Sequence, residues 1–319
     1  MRNIAVLTSG GDAPGMNMAI RAVVRSGFHY GFKVYGVYYG YKGLVEDEIK
    51  EMTRETVSRI LNRGGTILGS ARFEEFKDVE VQKKAVENLK RREIDGLVVI
   101  GGDGTFRGAR DLAKLGIQCI CLPGTIDNDI ASTDYTIGFY TALNTAVESI
   151  DKLRDTSFSH RRCSVVEVMG RYCGDLALYA GIAVGSEFIV TPETGYDKKA
   201  TIDAVKSSYK RNKRHTIVVV TEHMVDLDDL AKSIEKEVGY ETRTTVLGHV
   251  QRGGAPNAFD RVLAAEMAEY GVELLSRDIG GRVVGIRGMN YVDYGIDEAL
   301  EMKKKVSTKR YGIVGRLIH

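Results

Sequence analysis

Short apolar runs alternate with longer amphipathic stretches along almost the whole chain. Ile4–Leu7, Lys33–Tyr39, Leu97–Ile100, Ile117–Leu122, Ser164–Val168, Phe188–Val190, Thr216–Val220 and Arg282–Ile286 read as strands. Several of these are apolar at every position rather than at every second one. Between them, apolar residues recur at helical spacing. Helices are therefore predicted over about 17–30, 55–61, 79–90, 141–153, 175–183, 199–210, 227–238, 259–275 and 298–304, with another ending near Leu115. Thr244–Leu247 leads into His249–Gly254. Strands buried on both faces and alternating with helices indicate an α/β fold with mainly parallel sheets. The chain's length suggests about two domains, and no Pro/Gly/Ser-rich linker divides it, so the domains are expected to interleave.

The polar motifs fall at one point of this rhythm. Gly10-Gly11-Asp12, Gly101-Gly102-Asp103-Gly104, Thr125–Asp129, Met169-Gly170-Arg171, Thr221-Glu222 and His249–Arg252 all lie just after apolar strands. In parallel sheets the ligand crevice lies at the carboxyl ends of the strands. Alone, Pro123–Asp129 reads as a solvated turn, because Asp, Asn and Gly favour turns. In company with five other such motifs it reads as part of an active cleft. Its two carboxylates can divide labour, one taking a proton and the other serving a cation. The two Gly-Gly-Asp loops are candidate phosphate cradles, since glycine lets backbone N–H groups approach an anion. Asp103 would repel a phosphate there unless Mg²⁺ bridged the two. Neither a Walker A lysine pattern nor a strict GxGxxG occurs, which excludes a P-loop enzyme and a standard dinucleotide binder.

Composition narrows the class only slightly. The 319 residues are 43% apolar and 28% charged, with a net charge of +2, too small to argue for nucleic acid. No secretory signal is visible at the N-terminus and no apolar run approaches membrane-spanning length, so no membrane role is expected. Cys119, Cys121, Cys163 and Cys173 form no CxxC pair and read as structural thiols in a reducing cytoplasm.

Gly-Gly-Asp-Gly-Thr together with Pro-Gly-Thr-Ile-Asp-Asn-Asp resembles the bacterial ATP-dependent 6-phosphofructokinases. The resemblance runs through Leu7–Asn17, Arg63–Arg72, Gly101–Thr105, Pro123–Ile130, Val165–Asp175 and Thr242–Gly254; only the tail after about Lys305 looks generic. It implies two interleaved doubly wound domains, a nucleotide-binding one (1–138 plus 252–305) and a sugar-phosphate-binding one (139–251 plus 306–319). It further implies transfer of a phosphoryl group from ATP to fructose 6-phosphate, with Mg²⁺, in a cytoplasmic homotetramer. The alternatives are another kinase with the same Gly-Gly-Asp-Gly loop, or a non-catalytic phosphosugar or nucleotide sensor.

By the same resemblance, Asp127 is the general base, and Thr125 and Arg171 steady the transferred group. Gly11, Arg72, Phe73, Gly102, Asp103, Gly104 and Thr105 meet the nucleotide, with Arg72 also offsetting transition-state charge. Asp103 and Asp129 are the metal carboxylates. Met169 and Glu222 match sugar-hydroxyl contacts, His249 and Arg252 match the 6-phosphate end, and Ile126, Gly170, Val250 and Gln251 are further substrate-binding positions. Arg162 and Arg243 match residues that reach the sugar phosphate from a neighbouring subunit. An effector site for ADP or phosphoenolpyruvate is implied at Arg21, Ala22, Val23, Val24, Arg25, Arg54, Arg154, Gly185, Ser186, Glu187, Arg211, Lys213, Arg214 and His215. Arg59 departs from the family's usual Asp, which implies altered or weakened regulation. Gly104 and Gly124 favour ATP over pyrophosphate as donor, because relatives using pyrophosphate tend to carry Asp and Lys there.

Overall fold

The computed structural model describes residues 3–304 and 308–317. The chain divides into two compact units, each discontinuous in sequence. Unit 1 comprises residues 1–126, 130–141 and 252–304, and unit 2 comprises 127–129, 142–251 and 305–319. The expected boundary at residue 305 lies outside the described residues.

In unit 1 the elements run β1 (Asn3–Thr8), α1 (Met16–His29), β2 (Lys33–Val37), α2 (Gly40–Val45), β3 (Ile49–Glu51), α3 (Val79–Lys90), β4 (Ile94–Gly101), α4 (Asp103–Lys114) and β5 (Gln118–Pro123). Helix α5 (Phe139–His160) then carries the chain into unit 2. Unit 2 contains β6 (Cys163–Val168), α6 (Asp175–Val184), β7 (Phe188–Val190), α7 (Lys198–Lys210), β8 (Thr216–Thr221), α8 (Leu227–Val238) and β9 (Thr242–Val246). Unit 1 resumes with α9 (Ala258–Ser276), β10 (Arg282–Arg287), β11 (Asn290–Gly295) and α10 (Ile296–Glu301), and α11 (Thr308–Leu317) returns to unit 2. Among the described residues, no helix is long and apolar enough to cross a membrane.

The sheet of unit 1 has the order β11-β10-β5-β4-β1-β2-β3. Its inner ladders are parallel, and only the edge pairs β2–β3 and β10–β11 are antiparallel. Strands β1 and β4 are buried along nearly their whole length, which explains their unbroken apolar sequence. From β1 the chain winds to β2 on one side and later to β4 and β5 on the other, so the order reverses at the β1/β4 boundary. The smaller sheet of unit 2, β7-β8-β6-β9, is entirely parallel. Its core joins Val165, Val218, Val220, Val205, Ile202, Leu230 and Ile234.

The expected helix over 55–61 is absent, and the segment is a series of turns. The Thr53 hydroxyl accepts from the backbone N–H groups of Glu55 and Thr56, and Ser58 Oγ donates to the Glu55 carbonyl. Such side chains offer the backbone an alternative to the helix ladder. Arg59, at φ 59°, then takes the left-handed conformation that ends helical propagation.

One buried carboxylate ties two distant pieces of unit 1 together. Asp260, on α9, is fully buried and accepts hydrogen bonds from Gly138 N (3.0 Å), Thr141 N (2.7 Å) and Thr141 Oγ1 (2.5 Å). The two N–H groups flank the start of α5, which otherwise leaves its first donors unsatisfied. Burial raises the Asp260 pKa above the ordinary carboxylate value, although these hydrogen bonds pull the other way.

Candidate active site at the strand ends

In unit 1 the glycine loops meet at the β1/β4 switch point. Ser9 N donates to the Ile100 carbonyl (3.1 Å), Thr105 Oγ1 donates to the Ser9 carbonyl (3.1 Å), and Gly124 N donates to the Gly101 carbonyl (3.0 Å). The loops after β1, β4 and β5 are therefore stitched side by side. Gly101 has no room for a side chain, since a Cβ would lie 2.3 Å from Thr105 Oγ1 and 2.4 Å from the Ser9 carbonyl oxygen. Gly102 and Gly104 are the opposite case: a Cβ at either would meet nothing within 4 Å. Gly104 sits in the first turn of α4, where glycine costs about 1 kcal/mol relative to alanine. Packing therefore does not demand glycine at this position. Asp103, half-buried, shares this turn with the helix's N–H groups.

Tyr41 supports the loop from beneath. Its ring stacks on Phe76 at 4.3 Å, Phe76 lies 6.5 Å from the Phe73 ring, and its hydroxyl donates to the Thr105 carbonyl. Arg72 is exposed beside Phe73. Arg252 lies next to the first glycine loop. A Cβ on Gly11 would come within 2.4 Å of Arg252 Nη1, and Asp12 Oδ1 is 3.9 Å from the same nitrogen.

Thr125 N donates to the Ile137 carbonyl, and the Thr125 carbonyl accepts from Thr136 Oγ1 (2.6 Å). The next residues carry the chain from Ile126 in unit 1 to Asp127–Asp129 in unit 2. Asp127 is buried and Asp129 exposed. Between them, Asn128 adopts a left-handed conformation, φ 53°. Its Nδ2 donates to Asp175 Oδ2 (2.8 Å), and its carbonyl accepts from Cys173 Sγ (3.7 Å).

In unit 2 three more loops meet at the carboxyl ends of β6, β8 and β9. Glu222 Oε1 accepts from Gly170 N (3.3 Å) and Arg171 N (2.9 Å), holding Arg171 at φ 55°. Gln251, fully buried, accepts from Met169 N (3.3 Å) and donates to the Gly248 carbonyl (2.9 Å). His249 and Val250 are exposed on the same turn.

Arg162 and Arg243 lie at the other end of this sheet. Strands β6 and β9 run parallel with Cys163 opposite Thr242, so both arginines sit at their starts. A strand of this length spans on the order of 15 Å. Glu241 holds the pair, 2.9 Å from Arg162 and 2.6 Å from Arg243, and Arg162 first and then Arg243 lower its pKa. Sequence reasoning missed Glu241. The signal was available, since Glu241 and Arg243 are two residues apart and so share a face of an extended chain.

The residues expected at an effector site fall into two groups. In unit 1, Arg21 and Arg25 lie on α1, Arg25 donates to the Arg54 carbonyl (3.3 Å), and Arg54 sits 5.6 Å from the Phe28 ring centroid. Ala22, Val23 and Val24 are buried, so their side chains serve packing. In unit 2, Arg154 donates to the Val184 carbonyl before Gly185, which ends α6 at φ 61°. Glu187, beside buried Ser186, accepts from Lys213 Nζ and Ile217 N. Arg211 donates to Ser207 Oγ and Arg214 stacks on Phe158. Burial, then Lys213, lowers the His215 pKa.

Two α/β units, each with polar loops gathered at its strand ends and one of them glycine-lined at a switch point, define a doubly wound protein with the strand-end placement at which such folds bind ligands. A family model described as phosphofructokinase matches residues 3–275. An ATP-dependent 6-phosphofructokinase of Aliivibrio fischeri (strain MJ11) is 55% identical over 318 residues, 99% of either chain. One from Vibrio vulnificus (strain YJ016) is 57% identical with the same coverage. The structure of phosphofructokinase from Saccharomyces cerevisiae superimposes with a TM-score of 0.87 at 35% identity, over 99% of this chain and 47% of the longer yeast chain. The chain belongs to the phosphofructokinase family.

Proposed function

We propose that the protein transfers the γ-phosphoryl group of ATP to the 1-hydroxyl of fructose 6-phosphate, giving fructose 1,6-bisphosphate and ADP. The observation that carries this reading is the pair of glycine loops at the β1/β4 switch point, with Gly102 and Gly104 open where a nucleotide's phosphates would lie. Full-length likeness to relatives named ATP-dependent 6-phosphofructokinase supports it over another Gly-Gly-Asp-Gly kinase or a sensor.

Asp127 takes the proton from the 1-hydroxyl as that oxygen attacks the γ-phosphorus, and the bond to the β-γ bridging oxygen breaks to release ADP. Thr125 and Arg171 hold the moving group, and Arg72 offsets its charge. Glu222 and Met169 orient the sugar, and His249 and Arg252 serve its 6-phosphate. Mg²⁺ would be held by Asp103, with Asp129 as a second carboxylate, and would neutralise charge on the phosphates. A half-buried and an exposed carboxylate suit an ion that keeps water and phosphate oxygens as its other ligands. Among the described residues no group of three or more His, Cys, Asp or Glu side chains is placed to hold a metal ion. A cytoplasmic setting fits four buried cysteines, with no disulfide among the described residues.

The test is a coupled assay with fructose 6-phosphate and ATP, repeated with pyrophosphate as donor. Turnover with ATP and little with pyrophosphate is expected, and the reverse preference would refute the donor assignment. The same assay with added ADP and phosphoenolpyruvate reports on the effector residues. Shifts smaller than those of strongly regulated relatives are expected, because Arg59 stands where the family usually carries Asp and so alters the charge balance on which coupling between sites depends.

Arg162 and Arg243 stand at the opposite end of their sheet from the other sugar residues, which supports their serving a neighbouring subunit of a homotetramer. Arg243→Ser removes one charge-assisted donor. It is expected to raise the KM for fructose 6-phosphate about 10- to 100-fold while leaving the KM for ATP within about twofold. Equal losses for both substrates would contradict the assignment.

A further inference from the structure

The C-terminal helix α11 lies outside every sequence motif, yet its tyrosine is tied to the turn that carries Arg171. Tyr311 Oη lies 2.7 Å from Thr191 Oγ1 and donates to Glu193 Oε2 at 3.1 Å. The Glu193 carboxylate accepts from Gly174 N through both oxygens, at 2.9 and 3.1 Å. Gly174 is closely confined, since a Cβ there would lie 2.3 Å from Glu193 Oε2 and 2.3 Å from Thr191 Cβ. The next residue, Asp175, accepts from the side chain of Asn128, the residue between Asp127 and Asp129. All these groups belong to unit 2 and form one polar path from the tail to the proposed base.

Backbone conformation gives the path a purpose. Asn128 and Arg171 both occupy the left-handed region, at φ 53° and 55°. A non-glycine residue there costs about 1–2 kcal/mol and persists only where its surroundings over-determine it. Glu222 supplies that constraint for Arg171, and Asp175 with Cys173 supplies it for Asn128. Both constraints act on the segment from Gly170 to Asp175, and Glu193 fixes that segment at Gly174. Burial raises the Tyr311 phenol pKa, so at neutral pH the hydroxyl keeps the proton it donates.

We propose that Tyr311 and Glu193 are positioning residues: through them the C-terminal helix holds the Gly170–Asp175 turn, and with it Arg171, Asn128 and the Asp127 carboxylate, in the geometry for phosphoryl transfer. The inference rests on the roles given above to Asp127 and Arg171. It also assigns a task to the one part of the chain whose sequence looked generic.

The experiment is steady-state kinetics of the full-length protein and its Tyr311→Phe, Glu193→Ala, Glu193→Gln and double Tyr311→Phe/Glu193→Ala variants, with thermal midpoints recorded alongside. Tyr311→Phe keeps the ring and loses only the hydroxyl. Its kcat is expected to fall about five- to tenfold with the KM for ATP unchanged and the midpoint nearly so. Glu193→Ala falls further, and the double variant is no slower than Glu193→Ala alone, because the two residues act in series. Glu193→Gln, which keeps an acceptor for Gly174 N, regains most of the lost turnover. An unchanged kcat in Tyr311→Phe, losses that multiply in the double variant, or a Glu193→Gln as slow as Glu193→Ala would each overturn the inference. These failures are separable from failure of the proposed function, in which the unmutated protein itself would not phosphorylate fructose 6-phosphate.

Discussion

Asp127→Ser is expected to lower turnover by about 10³-fold while the KM for fructose 6-phosphate changes little. A positioned base typically supplies about 10²–10⁴-fold in rate. Asp127 is buried at the carboxyl end of the segment leaving β5, and its neighbour Asn128 is fixed on both its side chain and its carbonyl. The carboxylate is therefore placed by backbone that the substitution leaves intact. Serine fits the same space, so folding should survive, and single-turnover kinetics with saturating ATP isolate the chemical step. Turnover within a few-fold of the parent protein would remove Asp127 from the mechanism.

Asp260→Ala is expected to cost about 3–5 kcal/mol of stability, read as a shift in the denaturant midpoint. The substitution leaves the N–H groups of Gly138 and Thr141 and the Thr141 hydroxyl without their buried acceptor. Each orphaned group costs about 1–3 kcal/mol, with partial relief from relaxation and water. The pH dependence has a definite sign. Burial holds the Asp260 pKa above its unfolded value. The protonated side chain thus favours the folded state, fully below the unfolded pKa and progressively less as pH rises through the folded one. The gap between parent and variant should be widest in acid and narrow towards neutrality. A gap that widens as pH rises from 4 to 7 would contradict the assignment.

The sequence made the parallel strands and their loops legible because β1, β4, β5, β6 and β8 are short, apolar and followed by glycine or acidic residues. The antiparallel edges were not legible. β3 is three residues, Ile-Lys-Glu, with only Ile49 buried, and β11 is only partly buried along most of its length, so neither carries an unbroken apolar run. Helix α2 is six residues containing two glycines, and its existence depends on packing: Leu44 is fully buried and Tyr41 nearly so. The false helix over 55–61 shows the converse, where local side-chain hydrogen bonds to the backbone outweighed apolar spacing. At the candidate site, motif residues could be named from sequence, but their supports could not. Tyr41 reaches Thr105 across 64 positions, Asn128 reaches Asp175 across 47, and Tyr311 reaches Glu193 across 118. No local pattern marks such pairs, since they exist only once the strands are stacked in order.

The placement of Arg162 and Arg243 at the starts of β6 and β9 has a consequence for the enzyme as a population. If these arginines complete a neighbour's site, a solitary subunit carries every reacting group and still lacks part of its grip on the sugar. Specific activity then depends on how much protein is present. Dilution weakens the hold on fructose 6-phosphate before it affects the hold on ATP, and a mixed assembly of intact and Arg243-deficient subunits places each defect in a neighbour's site rather than its own.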